Sequence, residues 1–456
     1  MINYYLKILN MKKIKYTPIP VLMLVMLMAF TGCKKDEVKK QEEANPYYPR
    51  IFDNLKVFGS NQIINEGASA SFSGVLFTPA GKVKISWQVN GKEMSADPAF
   101  KFTPTVGGEY TIKLVATYNG DSTSRQTKVL VNPSTYTFKP YTKVVLANLT
   151  EDGTAADVVW SNITHLEYQV GKVAADGTLD VSKGNVNQHV NEIVARAHIA
   201  GIPVIMGISG HLSGIDGWAI YESNDFGTAI RNPTSMKLLI DSVKAYVARK
   251  KLDGVDIYMT DINSGNAPDN IHAIGPFLTA LKAALPAGAL VTVTAPVNYQ
   301  HWEYPDLSKA DWVNIHAFED NMHIGPDAPV GQSSSYDFMV SGAQAWTTFH
   351  LPASKLVVGI PAFGLRYNSL NAAGNNESWG SYDYMTYKSI IAADPVNAGK
   401  EKADIAKGVY YNGVPLVTQK ANYINANGFK GAYLWAADYD ATGSSSLLTV
   451  IHQAVK

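Results

Sequence analysis

Eight apolar, strand-length runs recur between residues 138 and 456: Lys143–Leu149, Ile163–Val170, Pro203–Ser209, Leu252–Met259, Ala289–Ala295, Trp312–Phe318, Leu356–Ala362 and Gly431–Ala436. Near-continuous apolar runs of this length suit strands buried on both faces of a parallel sheet. Amphipathic helical stretches separate several of them. One sets Val186, Val190, Ile193, Val194 and Ala197 on one face and stops at Gly201; others carry Leu239, Val243 and Tyr246 after Pro233, and Phe277, Leu278, Leu281 and Leu285 after Pro276. This alternation predicts an α/β chain whose residues 138–456 form a (β/α)8 TIM barrel. A doubly wound open sheet is the alternative. No Gly-x-Gly-x-x-Gly follows the first strand, so its dinucleotide-binding form has no support.

Residues 46–134 have a different rhythm. Ile85, Trp87 and Val89 alternate with polar residues before an Asn90-Gly91 turn, and Thr111–Ala116 alternates after Gly107-Gly108-Glu109-Tyr110. This predicts a small all-β sandwich domain resembling immunoglobulin-like or polycystic-kidney-disease-type modules, with Trp87 and Tyr110 as packing residues and the domain as a spacer.

The chain begins with a sorting signal. Residues 1–32 hold Lys7, Lys12, Lys13 and Lys15 and no acid, followed by the apolar run Val21 to Phe30, too short for the ~20 residues of a bilayer span. The run ends in Phe30-Thr31-Gly32-Cys33, which resembles a bacterial lipobox, and Cys33 is the only cysteine. The resemblance implies lipidation at Cys33, a flexible charged tether over 33–45, and an outer-membrane lipoprotein of the bacterial cell envelope, periplasmic or surface-exposed; an ordinary cleaved signal is the alternative. A formal net charge of zero argues against a nucleic-acid partner, and one cysteine excludes an internal disulfide. No cofactor or metal site is expected.

The fourth run, Leu252-Asp253-Gly254-Val255-Asp256-Ile257-Tyr258-Met259-Thr260, resembles the Asp-Gly-x-Asp-x-Asp-x-Glu signature of glycoside hydrolase family 18, the chitinases and endo-β-N-acetylglucosaminidases. Residues 203–210, 311–319, 356–364 and 431–435 are similar to that family's third, sixth, seventh and eighth strands, with Trp435 at the sugar-floor position. The resemblance implies substrate-assisted hydrolysis, in which a Glu protonates the leaving oxygen and an Asp orients the substrate acetamide. Here the motif is degenerate: the Asp position is Tyr258 and the Glu position is Thr260. A Thr hydroxyl cannot act as the general acid, and a Tyr, with a reference pKa of about 10, supplies no negative charge at neutral pH. The family's Met-x-Tyr-Asp is His316-Ala317-Phe318-Glu319, which removes another hydroxyl from the acetamide site.

The expectation is a glycan-binding barrel without its catalytic pair, recognising an N-acetylglucosamine-containing glycan through Asp253, Asp256, Tyr258, His316, Glu319 and Trp435, with His211 and Trp302 as further lining. The alternative is an active chitinase or endo-β-N-acetylglucosaminidase whose acid has moved to Asp261, Glu319 or Glu167. The stretch between the seventh and eighth strands reads as too short for the α+β insertion of many chitinases, which favours the compact endoglycosidase-like branch. A metal held by His316, Glu319 and His323, and a serine nucleophile at Ser209, are weaker readings.

Overall fold

The structure, a computed structural model, describes residues 48–210, 222–259, 267–297 and 301–455. The expected signal, Cys33 and tether lie outside the described residues, as do His211, Thr260 and Asp261. The chain divides into two compact units, residues 48–60, 71–101 and 111–127 in one and 61–70, 102–110 and 128–455 in the other.

The smaller unit is all-β. Its strand Lys84–Val89 turns through Asn90 and Gly91, at φ 50° and 83°, into Lys92–Ser95. It also pairs antiparallel with residues 112–117, Trp87 opposite Leu114. Trp87 is wholly buried against Phe58, Phe72 and Phe100, its ring centroid 5.5–5.9 Å from theirs, so it packs the core as its place in an alternating strand predicts.

The larger unit contains a closed parallel barrel. Its strands are β1 (Val144–Leu149), β2 (His165–Val173), β3 (Val204–Gly210), β4 (Gly254–Tyr258), β5 (Leu290–Pro296), β6 (Val313–His316), β7 (Leu356–Pro361) and β8 (Gly431–Trp435). Each pairs in parallel with the next, and β1 closes the ring on β8 with Leu146 opposite Tyr433. All eight coincide with the apolar runs read from the sequence, to within a few residues at their ends. Helices cover the outside. The helix Val186–Ala200 ends at Gly201 in the left-handed region (φ 73°), and Asn232 caps the helix Pro233–Lys250 through the amides of Thr234 and Ser235.

Alternation along the strands sorts side chains into two cores. Val145, Ala147, Val255 and Ile257 face the helices, while Val144, Leu146, Ile205, Trp312, Val357 and Tyr433 fill the barrel. Gly359 is required there: a Cβ at this position would come within 2.7 Å of both Phe318 and Tyr433.

One expectation is corrected. An insertion does lie between β7 and β8. Strands Phe363–Tyr367, Tyr382–Thr386, Lys402–Ala403 and Val409–Tyr411 form a four-stranded antiparallel sheet, accompanied by the helix Tyr387–Ala393. Its first strand starts two residues after β7 and reads as part of it. The others span five residues or fewer, too short for a clear alternation between Asn- and Gly-rich turns.

Candidate glycan site at the barrel mouth

Inward positions near the C-terminal end of the barrel strands are polar in the interior and aromatic at the rim. Asp256 of β4 is fully buried and accepts hydrogen bonds from the Thr292 hydroxyl, from the Thr294 hydroxyl at 2.7 Å and from Asn314 Nδ2 at 3.1 Å. These donors are inward residues of β5 and β6. Glu167 of β2 is also fully buried; its Oε1 accepts from Gln169 Nε2 at 2.6 Å and its Oε2 has no partner. Burial raises the Asp256 carboxyl to about 6, against its three donors, while burial and the nearby Asp256 charge raise Glu167 well above the carboxylate range. Glu167 therefore holds its proton and Asp256, with three donors aimed at it, gives up its own first.

Two residues further along the same face of β4, Tyr258 reaches the mouth. Its ring lies 5.4 Å from that of Trp435, tilted by 34°, at the end of β8. Its hydroxyl is 3.4 Å from Nδ1 of His316, and His316 Nε2 is 2.8 Å from Glu319 Oε2. Tyr258, His316 and Glu319 thus form one polar chain across the rim. Glu319 sits at φ 67°, and its amide donates to Ser334 Oγ at 3.3 Å. The β7–β8 insertion adds Tyr384 and Tyr382, and both hydroxyls are pushed up by desolvation and by the nearby Glu319 charge. Phe363, Phe318 and Tyr433 continue the aromatic wall downward. On another part of the rim, Lys172 of β2 donates to Ser209 of β3 at 2.9 Å.

Of the residues expected at the site, the structure brings together Tyr258, His316, Glu319 and Trp435, with Asp256 beneath them. Asp253 is elsewhere: it precedes β4 at the N-terminal end of the barrel and is held by His198 Nε2 at 3.0 Å and the Val204 amide at 2.8 Å. Three residues from Asp256, it has the opposite parity on a strand. Glu167 is sealed in the interior, so as a candidate acid it cannot reach a glycosidic oxygen without a large rearrangement. Trp302 stands beside His301, which packs on Phe349 and His350. His323 bonds the Pro329 carbonyl at 2.9 Å, and no group of three metal-ligating side chains occurs among the described residues. Tyr384 and Tyr382 were not anticipated; the Tyr-x-Tyr alternation in 382–386 is the sequence signal for both.

Comparison with known proteins places this geometry. The profile of Glycosyl hydrolases family 18 matches residues 113–440, well over half of the chain, beginning within the upstream strands. Chitinase 1 from Aphanocladium album is 24% identical over 350 residues, which cover 66% of this chain and 81% of that relative. The GH18 chitinase ChiB from Flavobacterium johnsoniae superimposes with a TM-score of 0.56 at 22% identity, over 69% of this chain and 94% of that one. The chitinase-like agglutinin from Robinia pseudoacacia does so with a TM-score of 0.55 at 17% identity, over 69% of this chain and 100% of that one. The structural likenesses share the barrel fold, and the match of the family profile carries the assignment: the chain belongs to glycosyl hydrolases family 18.

Proposed function

We propose that this protein binds an N-acetylglucosamine-containing glycan at the barrel mouth without cleaving it. The observation that carries the reading is Tyr258, whose ring lies against Trp435 and whose hydroxyl meets His316, at the place where the family signature has a carboxylate. Aromatic faces stack on sugar faces, and the His316–Glu319 pair offers hydrogen bonds to hydroxyls. The general acid position is Thr260 in the sequence. Proximity of an acid to the leaving oxygen and a charge to steady the cationic ring act as a unit, so loss of both removes more than a share of the rate. The chitinase-like agglutinin supports the reading by its name, as a chitinase-like barrel not named for hydrolysis.

A second reading, hydrolysis by a relocated acid, draws on one observation. Glu319 is a carboxylate at the rim, joined to Tyr258 through His316. Incubation with chito-oligosaccharides and high-mannose glycoproteins separates the two: retention without new reducing ends supports binding alone, and turnover lost in Glu319→Gln supports the relocated acid.

The surroundings belong to the same proposal. Residues 46–134 serve as a spacer of immunoglobulin-like type, and Cys33 carries the lipid that holds the protein at the bacterial outer membrane through the tether 33–45. The sole cysteine closing an apolar run supports the anchor.

A further inference from the structure

The smaller unit turns an apolar face outward close to the start of the described chain. Its strand Arg50–Phe52 pairs antiparallel with Leu76–Thr78, Phe52 directly opposite Leu76, and the two form a sheet of their own. Alternation sends Ile51 into the core, 5% exposed, and leaves Phe52 and Leu76 outside, 42% and 58% exposed. The turn after the first strand adds Leu55, 68% exposed. Leu55 lies against Gly74, two residues before Leu76: a Cβ at Gly74 would come within 2.5 Å of Leu55 Cδ1. Single exposed aliphatics need no explanation, but here three meet on one ribbon. Arg50 shares the outer face with Phe52, and Lys56 follows Leu55; both are exposed. The acid in this turn, Asp53, is engaged by the amides of Val57 at 2.8 Å and Phe58 at 2.9 Å.

An apolar patch flanked by cations matches a membrane interface: hydrocarbon takes the Phe and Leu tips, while Arg and Lys stems carry their charges out to lipid phosphates. The place of the patch in the chain points to the same occupant. Tyr48, the first described residue, donates its hydroxyl to the Ser122 carbonyl at 2.8 Å, and the patch strand starts two residues later at Arg50. Between Cys33 and Tyr48 lie residues 34–47, a count of 14, which reach at most about 50 Å when extended. A lipid on Cys33 keeps a bilayer within reach of the patch, and such a link raises a weak contact to an effective concentration in the millimolar range.

We infer that Phe52, Leu55 and Leu76 form a membrane-contacting face whose occupant is the bilayer that holds Cys33. The inference rests on the anchor reading and goes beyond it. The lipid holds the chain at the membrane, and this face, too weak to do so alone, seats the smaller unit on the lipid surface.

The test uses the full chain with Cys33→Ala, which carries neither lipid nor any cysteine. It is mixed with vesicles of phosphatidylcholine and phosphatidylglycerol up to millimolar lipid and sedimented. The expected result is partial co-sedimentation that rises with lipid. Combining Phe52→Ser, Leu55→Ser and Leu76→Ser should weaken it at least about tenfold, through the loss of three apolar side chains from the contact. If that variant does not fold, an environment-sensitive dye on Leu55→Cys, then the sole cysteine, decides by shifting to shorter wavelength when vesicles are added. No co-sedimentation with an unshifted dye overturns the inference. So does a dye shift that follows protein concentration without vesicles, which would make the face a contact between copies of the chain. Uptake of a labelled acyl chain by the wild type reads the anchor separately: acylation without vesicle binding overturns this inference alone, and no acylation overturns both.

Discussion

Lys420→Met probes how the mouth is held in place. Lys420, on the helix Val414–Ala426, is wholly buried, and its ammonium donates to the Ser334 carbonyl at 2.7 Å and to Asn412 Oδ1 at 2.6 Å. Ser334 in turn receives the Glu319 amide, so this lysine braces the segment that presents Glu319. Burial lowers its pKa from 10.5 to about 7. Between those values the unfolded chain keeps a proton that the folded chain has lost. The unfolded state binds more protons, and the lysine's contribution to stability rises with pH through that window; below it both states are protonated and the contribution is flat and lowest. At about 1.4 kcal/mol per unit, the rise from pH 7 to pH 9 is on the order of 3 kcal/mol. Met removes this dependence and leaves Asn412 Oδ1 unpartnered, at about 1–3 kcal/mol, against which the loss of a buried charge is a gain. The substitution should therefore be close to neutral near pH 7 and cost several kcal/mol at pH 9. Urea unfolding of both proteins from pH 6.5 to 9.5 measures the gap. Parallel curves, or a gap that narrows as pH rises, would refute the reasoning.

Further outcomes follow from the same geometry. Glu167→Gln should stabilise the barrel: the raised carboxyl binds its proton more tightly folded than unfolded, so wild-type stability falls as pH rises above about 4.3, and the variant's advantage, read from melting temperatures, should grow over that range. Trp435→Ala should abolish glycan retention, at a stability cost well under the roughly 3–5 kcal/mol of a fully buried Trp, because its ring is only half-buried; a large loss of melting temperature would make it a core residue. Cys33→Ala should move the protein from the membrane to the soluble fraction, and a variant that stays membrane-bound while the wild type takes up no labelled acyl chain would end the anchor proposal.

The barrel was legible because strands buried on both faces announce themselves as unbroken apolar runs, such as 203–209 and 356–362, with amphipathic helices between them. The site was legible where it follows strand parity. Asp256 and Tyr258 share a face of β4, and the structure stacks one above the other. Asp253 was grouped with them through the motif, against the parity that sends it to the far end of the barrel. The insertion escaped notice because each of its strands between Tyr382 and Tyr411 is too short to show a period, so Tyr382 and Tyr384 went unseen although they border Glu319. The depth of Glu167 could not be read from β2 alone: it depends on Gly207 of the neighbouring strand, where a Cβ would sit 2.8 Å from its Oε1.

The central claim is binding without hydrolysis, and a paired measurement on one sample tests it most directly. Wild-type protein and Tyr258→Asp/Thr260→Glu are each incubated with chito-oligosaccharides, following retention by titration and product release by chromatography. The account predicts that the wild type retains oligomer and releases no product above the buffer blank, while the double variant, with both carboxylates of the family signature restored in the sequence, begins to release it. Wild-type turnover well above the blank, lost on changing Asp261 or Glu319, would contradict the claim and name the acid.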